Sequence, residues 1–416
     1  MCLAHMSEAG WEKKYIKEAF DTNWVVPLGP NVDCFEEDLR RYVCQMPDSQ
    51  PALAREVVAL SSGTAAVHLG LLACGVCPGD EVLVQSFTFC ASTHPVKYLG
   101  ATPVMIDSER DTWNMDPELL EKAIVDRLAL TGRKPKAIVA VHLYGMPARI
   151  DEIMAIADRY DIPMVEDAAE GFGSRYKGRV VGTFGRYGVL SFNGNKIITT
   201  SGGGALICPD AAARTQLMWY ATQAREAYPY YHHEAVGYNY RLSNICAGIG
   251  RGQMHVLDEH IAHHRRIAAL YRDGFAGVEG ITFHDELPGM ASNFWLSTIL
   301  LDENLHVKGE DRAYEQPVNG AVGGAAGMVH GGGPLHTGCE PNRNVEAMRV
   351  ALDREGIESR PLWKPMHCQP VYQDAPAYVN GVSEGLFRRG LCLPSGPLVT
   401  EDDVKRIIET ILDKTI

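Results

Sequence analysis

The chain has 416 residues, 46% of them apolar and 22% charged, a balance that supports a sizeable buried core and excludes an intrinsically disordered protein. Acidic residues outnumber basic ones by 52 to 39, and the formal charge of −13 argues against a chain that wraps nucleic acid or lies on an anionic membrane. Eleven cysteines (Cys2, Cys34, Cys44, Cys74, Cys77, Cys90, Cys208, Cys246, Cys339, Cys368, Cys392) form an odd, scattered set, which reads as reduced thiols in a cytoplasm rather than a disulfide framework. The opening MCLAHMSEAGWEKK reaches charged residues without an apolar h-region, and no run of about 20 apolar residues follows, so neither a signal peptide nor a membrane span is expected.

In chain order, SSGTAAVHLGLLACG predicts a helix, EVLVQ a short buried strand after the PGD turn, and PVMID the next strand. KAIVAVHLYG reads as a strand, and Ile150, Ile153, Met154 and Ala157 stripe a helix before PMVEDAA gives another strand. Such βαβ units imply a mainly parallel sheet covered by helices. Residues 243–273 carry Ile245, Ile249, Met254, Leu257, Ile261 and Leu270 and predict one long linking helix. Beyond it NFWLSTILLD is strand-like and VEAMRVALDREG helical, and Val404, Ile407, Ile408 and Ile411 stripe a last helix opened by a capping box from Thr400 to Asp403. The expectation is a large α/β domain over 1–255 and a small α+β domain over 256–416, with a glycine-rich insertion at about 316–339.

Neither GxGxxG nor GxxxxGK[ST] occurs, so a phosphate site must be sought elsewhere. Ser61, Ser62, Gly63 and Thr64 stand before an apolar helix, where unpaired N–H groups and the helix dipole favour a phosphate, although an ordinary N-cap has the same composition. Asp167 ends the strand PMVED, and open α/β sheets bind ligands at the carboxyl ends of their strands. Lys196 lies between two apolar stretches beside Gly202, Gly203 and Gly204 with no other charge nearby, and a desolvated lysine has a lowered pKa and a nucleophilic neutral amine. Cys74 and Cys77 form an isolated CxxC that reads as packing, and His260, His263 and His264 read as an exposed polar face, so no metal site is expected.

These features occur within the ordered motifs VPLGPNVDCFEEDL, ALSSGTAAVHLGL, PVMIDSERDTWNMDP, VHLYGMPARIDEI, VEDAAEGFGSRYKG, SFNGNKIITTSGGGAL, GYNYRLSNICAGIGRGQM and ESRPLWKPMHCQPVY. Through them the chain resembles, over nearly its whole length, the nucleotide-sugar aminotransferases of the DegT/DnrJ/StrS family. That resemblance implies an α/β fold of the aspartate aminotransferase-like, fold type I class, with pyridoxal 5′-phosphate as cofactor and pyridoxamine phosphate as its aminated form. It implies Lys196 as the lysine that holds the cofactor and Asp167 as the carboxylate paired with the pyridine nitrogen. It places Gly63, Thr64 and Ser191 at the phosphate, Phe89 stacked on the ring, and Glu170 beside the cofactor where relatives often carry Gln or His. Asn239, in GYNYR, matches a residue that reaches the phosphate from the partner subunit, which implies a homodimer with shared active sites.

The implied reaction moves an amino group from glutamate to the 4-keto carbon of a nucleotide-linked 4-keto-6-deoxy sugar, most like UDP-4-keto-6-deoxy-N-acetylglucosamine. An aminotransferase acting on a GDP- or dTDP-linked sugar, or a cysteine desulfurase-type enzyme using Cys339, are the alternatives. Arg241 and His367 are further candidates for a substrate carboxylate or phosphate, and Arg175, Lys177 and Arg179 for the pyrophosphate. The insertion, unusually rich in glycine for this family, is expected as a loop that orders over the sugar nucleotide.

Overall fold

The computed structural model describes residues 4–47, 50–314 and 338–416. A strand the sequence reading did not single out comes first, β1 (Glu56–Leu60), and the predicted strands follow as β2 (Glu81–Gln85), β3 (Thr102–Ile106), β4 (Ala137–Val141) and β5 (Met164–Asp167). There follow β6 (Arg175–Tyr176), β7 (Arg179–Val180), β8 (Tyr187–Ser191), β9 (Gly204–Cys208), β10 (Ile281–Phe283), β11 (Met290–Ala291) and β12 (Ser297–Leu301). The last three are β13 (Arg360–Pro361), β14 (Ala377–Tyr378) and β15 (Gly390–Leu393).

The large sheet has the order β1-β9-β8-β5-β4-β2-β3-β14. Every pair from β8 to β14 is parallel, and β9 runs antiparallel to both β1 and β8. Strands β4, β8 and β9 are buried along their whole length, which is why they read as continuous apolar runs. Helices cover the sheet, and the predicted stripe forms as Ile150–Arg159 with Ile150, Ile153, Ile156 and Ala157 buried. Each fully buried isoleucine contributes about 1.5–3 kcal/mol relative to exposure. A separate antiparallel sheet, β10-β12-β15-β13, packs with the helices Leu257–Phe275, Arg343–Arg354 and Glu401–Lys414 around a second core. The Thr400–Asp403 capping box that opens the last helix is present.

The single linking helix expected over 243–273 is two helices, Asn244–Met254 and Leu257–Phe275. The first is rich in glycine because it lies close against the N-terminal helices Trp11–Asp21 and Pro30–Val43. A Cβ at Gly250 would stand 2.6 Å from the Phe35 ring. At the break, His255 stacks on Trp11 with centroids 4.5 Å apart and meets Tyr15 Oη through Nε2 at 2.9 Å, and the chain then turns toward the second sheet. The histidines of the second helix are also not the exposed face that was expected: His260 and His264 are buried and meet backbone carbonyls of Ile197 and Phe294. Burial holds His264 neutral, with a pKa lowered to about 3.

We propose a large domain over 1–255 and a small one over 256–416 on the strength of the two separate sheets, although β14 returns from the second part to extend the first sheet. The glycine-rich insertion expected at 316–339, and its ordering over the substrate, lie outside the described residues except for its last two positions. No disulfide joins the ten cysteines among the described residues.

Candidate active site

A cavity of about 360 Å³ opens where β5 and β8 end, and Gly63, Thr64, Phe89, Asp167, Glu170, Ser191 and Lys196 all line it. Its floor is made by the start of the helix Gly63–Ala73. Ser62 caps that helix by accepting from Ala65 N–H at 3.0 Å, while the Gly63 and Thr64 amides find no acceptor among the described residues. Two orphan N–H groups at the positive end of a helix dipole form an anion site. Gly204 lets β9 sit directly under this turn, since a Cβ there would stand 2.4 Å from Gly63 N.

Asp167 is placed by the last residue pairing of β5 with β4 and β8. Its two oxygens are oriented by the chain itself: Ser92 Oγ donates to Oδ2 at 2.7 Å and Ala169 N–H to Oδ1 at 3.0 Å. Ser92 in turn meets Thr88 Oγ1 at 2.8 Å, so a chain of hydroxyls fixes the carboxylate.

Lys196 sits in the turn between β8 and β9, its side chain 12% exposed. Its Nζ lies 3.6 Å from Glu170 Oε1 and 4.1 Å from the centroid of the Trp295 ring. Glu170 also accepts from Tyr144 N–H at 2.8 Å and from Trp363 Nε1–H at 3.3 Å. Burial pushes the Glu170 carboxyl above its ordinary range, with Lys196 and the Tyr144 amide opposing and Asp167 reinforcing the rise. Tyr144 holds a left-handed φ of 53°, and its Oη accepts from Trp363 N–H at 2.7 Å. A tyrosine in that conformation costs about 1–3 kcal/mol and persists only where surrounding contacts dictate it.

Pyridoxal phosphate fits these residues. The orphan amides of Gly63 and Thr64 suit a phosphate, Asp167 suits a protonated ring nitrogen, and Lys196 supplies a shielded primary amine in the same cavity.

Other candidates fall elsewhere. Asn239 is exposed and bridges to Thr222 outside the cavity lining. Arg241 is committed to a buried ion pair with Glu36, which also pairs with Arg214 at 2.8 Å. The three basic residues proposed for a pyrophosphate are spent in or beside the small β11-β6-β7 sheet: Arg175 on Gln45, Lys177 on Asp151 and Arg179 on Thr183. None of them lines the cavity: Arg179 finds its acceptor four residues on, while Arg175 and Lys177 turn to Gln45, just past the helix Pro30–Val43, and to Asp151 in the helix Ile150–Arg159. Cys339 does not line it either. Its thiol lies with Cys368 and Glu384.

Sequence reasoning missed Ser92, Trp295 and Trp363. Trp363 stands in the motif ESRPLWKPMHCQPVY and Ser92 just after Phe89, but no local spacing joins either to Lys196.

A parallel sheet with an orphan helix N-terminus, a strand-end aspartate and a shielded lysine around one cavity defines a pyridoxal phosphate-dependent aminotransferase of fold type I. The sequence profile of the DegT/DnrJ/EryC1/StrS aminotransferase family matches residues 7–316 and 334–412, and the chain belongs to that family. It is 44% identical over 412 residues to EpsN of Bacillus subtilis (strain 168), provisionally named as a pyridoxal phosphate-dependent aminotransferase, covering 98% of this chain and 93% of that protein. It is 32% identical to a GDP-perosamine synthase of Escherichia coli O157:H7, over 97% of this chain and 96% of the relative. Among solved structures, a DegT DnrJ EryC1 StrS aminotransferase from Brucella abortus superposes with a TM-score of 0.81 at 27% identity, covering 97% of this chain and 95% of that one. The break in the profile match falls inside the glycine-rich stretch, where the sequence departs from the family pattern. The desulfurase alternative falls with this membership.

Proposed function

We propose that the enzyme moves an amino group from glutamate to the keto carbon of a nucleotide-linked 4-keto-6-deoxy sugar. The observation that carries this reading is the convergence of Lys196, Asp167 and Glu170 on one cavity in a chain of this family. Lys196 would hold the cofactor and Asp167 its ring nitrogen. Gly63, Thr64 and Ser191 would hold its phosphate, and Phe89 its ring face. Pyridoxal phosphate, when bound, supplies a ring that accepts the electrons of a broken C–H bond.

The residues of this chain then divide the work. The Lys196 amine takes a proton from the donor α-carbon and later returns one to the sugar carbon, a task that needs it neutral for part of the cycle. Asp167, aimed by Ser92 and the Ala169 N–H, holds the proton on the ring nitrogen. Glu170, beside Lys196, stabilises the charged amine between proton transfers. Trp295 and Trp363 wall the cavity and limit water around these groups. The exposed Asn239 is proposed to reach the partner's phosphate in a homodimer, and the reaction is assigned to the cytoplasm; no described helix is long and apolar enough to cross a membrane.

Within the sugar nucleotides, SFNGNKIITTSGGGAL and RPLWKPMHCQP favour UDP-4-keto-6-deoxy-N-acetylglucosamine with amination at carbon 4. A GDP-linked keto sugar is the second reading, favoured by GDP-perosamine synthases of three organisms at 30–33% identity. Competition among UDP-, dTDP- and GDP-linked 4-keto sugars in one assay with glutamate decides between them. UDP preference with an amine at carbon 4 is expected. A GDP preference selects the second reading, and failure with all three overturns the substrate class.

A further inference from the structure

Cys339, Cys368 and Glu384 come from three distant parts of the chain, yet their thiol sulfurs and a carboxylate oxygen all lie within 4.8 Å of one another. The cluster stands outside the cavity lining. Cys339 is buried, whereas Cys368 and Glu384 are partly exposed, so the group is reachable from solvent on one side.

The carboxylate is oriented from behind. His367 Nε2 meets Glu384 Oε1 at 3.3 Å, and its Nδ1 meets Ser86 Oγ at 2.7 Å. Ser86 Oγ also accepts from the His367 N–H at 3.1 Å. The His367 ring thus bridges Ser86 to Glu384 through its two nitrogens. Metal-binding carboxylates are held by such outer hydrogen bonds. On the other side Arg388 Nη2 lies 3.9 Å from Glu384 Oε2, and Lys364 is within electrostatic reach of Cys339.

We propose that Cys339, Cys368 and Glu384 bind one thiophilic divalent cation, Zn²⁺ by class, with solvent water in the fourth position. Around a tetrahedral zinc with Zn–S of about 2.3 Å and Zn–O of about 2.0–2.2 Å, donors stand roughly 3.3–3.8 Å apart. A side-chain adjustment of about 1 Å closes the observed cluster to that size. Two thiolates and a carboxylate carry three negative charges, a divalent cation leaves one, and Lys364 and Arg388 offset it. Sulfur donors select zinc over magnesium or calcium, and binding expels two thiol protons to solvent without a redox step. The cation would clip residue 339 and the segment carrying Trp363 and Cys368 to the helix Val382–Arg389. This inference is independent of the sugar assignment.

The test uses purified holoenzyme stripped with a chelator and titrated with Co²⁺ and then Zn²⁺. One equivalent of Co²⁺ per chain with a thiolate-to-cobalt charge-transfer band, displaced by Zn²⁺, is expected. Cys368→Ser and the more exposed Glu384→Gln should each weaken Zn²⁺ binding at least about tenfold. The melting temperature should rise with Zn²⁺ in the parent and not in Cys339→Ser/Cys368→Ser. Absence of the charge-transfer band, or an unchanged Kd in both single variants, would overturn the site. So would recovery of Cys339 and Cys368 as a disulfide whose reduction restores no cobalt binding.

Discussion

Lys196 Nζ lies 3.6 Å from Glu170 Oε1, and the two side chains are 12% and 4% exposed. The pair links the proposed proton carrier to a carboxyl that burial has already made harder to ionise. Because the Glu170 pKa is raised, the group is ionised only above the ordinary glutamate range, and falling pH removes the charge that faces Lys196 earlier than a solvated glutamate would. The acid limb of kcat/KM should therefore lie above about pH 4.3, the usual glutamate value. Glu170→Gln should flatten that limb. An acid limb unchanged in the Gln variant would count against a role for this carboxyl.

Lys196→Ala should lower kcat by at least about 10²–10⁴-fold, the usual contribution of a positioned acid-base group, and should abolish covalent retention of the cofactor. Borohydride reduction and peptide mapping of the parent locate the attachment. A label on any other lysine removes Lys196 from its assigned place.

The hydroxyl chain from Thr88 through Ser92 to Asp167 makes a graded prediction. Asp167→Asn should keep the cofactor bound and collapse turnover, since a neutral amide cannot hold a ring-nitrogen proton. Ser92→Ala removes one charge-assisted hydrogen bond, about 1.5–3 kcal/mol, and should shift the pH-dependent absorbance of the bound cofactor while sparing its attachment. Near-normal turnover in Asp167→Asn would contradict the role, and a Ser92→Ala titration identical to the parent would leave Ser92 a packing residue.

Glu166, next to Asp167 but facing the other side of the sheet, is fully buried and meets His142 Nε2 at 2.8 Å. It also accepts from the amides of Gly182, Phe184 and Gly185. Burial alone would raise its pKa, but His142 and these N–H groups outweigh that and hold it lowered. A lowered folded pKa contributes stability above the unfolded value and loses it as pH falls through the folded one. Glu166→Gln should cost about 3–5 kcal/mol at neutral pH by denaturant unfolding, with the gap narrowing only in acid. A gap independent of pH would mean that packing, not the charge, carries the effect.

If Asn239 serves the partner's site, a mixed dimer of Lys196→Ala and Asn239→Ala chains should recover activity, because one site then combines both intact residues. Controlled subunit exchange reads this directly. No recovery places Asn239 in its own subunit's chemistry, and a monomeric enzyme would contradict the shared arrangement.

Local order was legible in the sequence wherever one period dominated. The buried strands read as apolar runs, the Ile150 stripe as a helix and Thr400–Asp403 as a cap, because these depend on neighbours a few residues apart. Seven of the eight residues assigned to catalysis or cofactor binding line one cavity, which ordered motifs and strand ends sufficed to locate. The two-residue strands β6, β7, β11, β13 and β14 carry too few positions to show a period, and the break at His255 is set by contacts with Trp11 and Tyr15, more than 200 positions earlier.

What tertiary structure alone decided was which charges are free to act. Arg175, Lys177, Arg179 and Arg241 look alike in sequence as cationic candidates, but each found a carboxylate, carbonyl or hydroxyl acceptor nearer than the cavity. Trp295 and Trp363 became walls of the site only once the second part of the chain had packed on the first, and Cys339, Cys368 and Glu384 became neighbours only through the folding of that second part. Sequence periodicity reports the face a residue turns toward its own element's core. It carries no information on which distant element supplies the other half of a contact, and that is settled by the packing of whole sheets and helices.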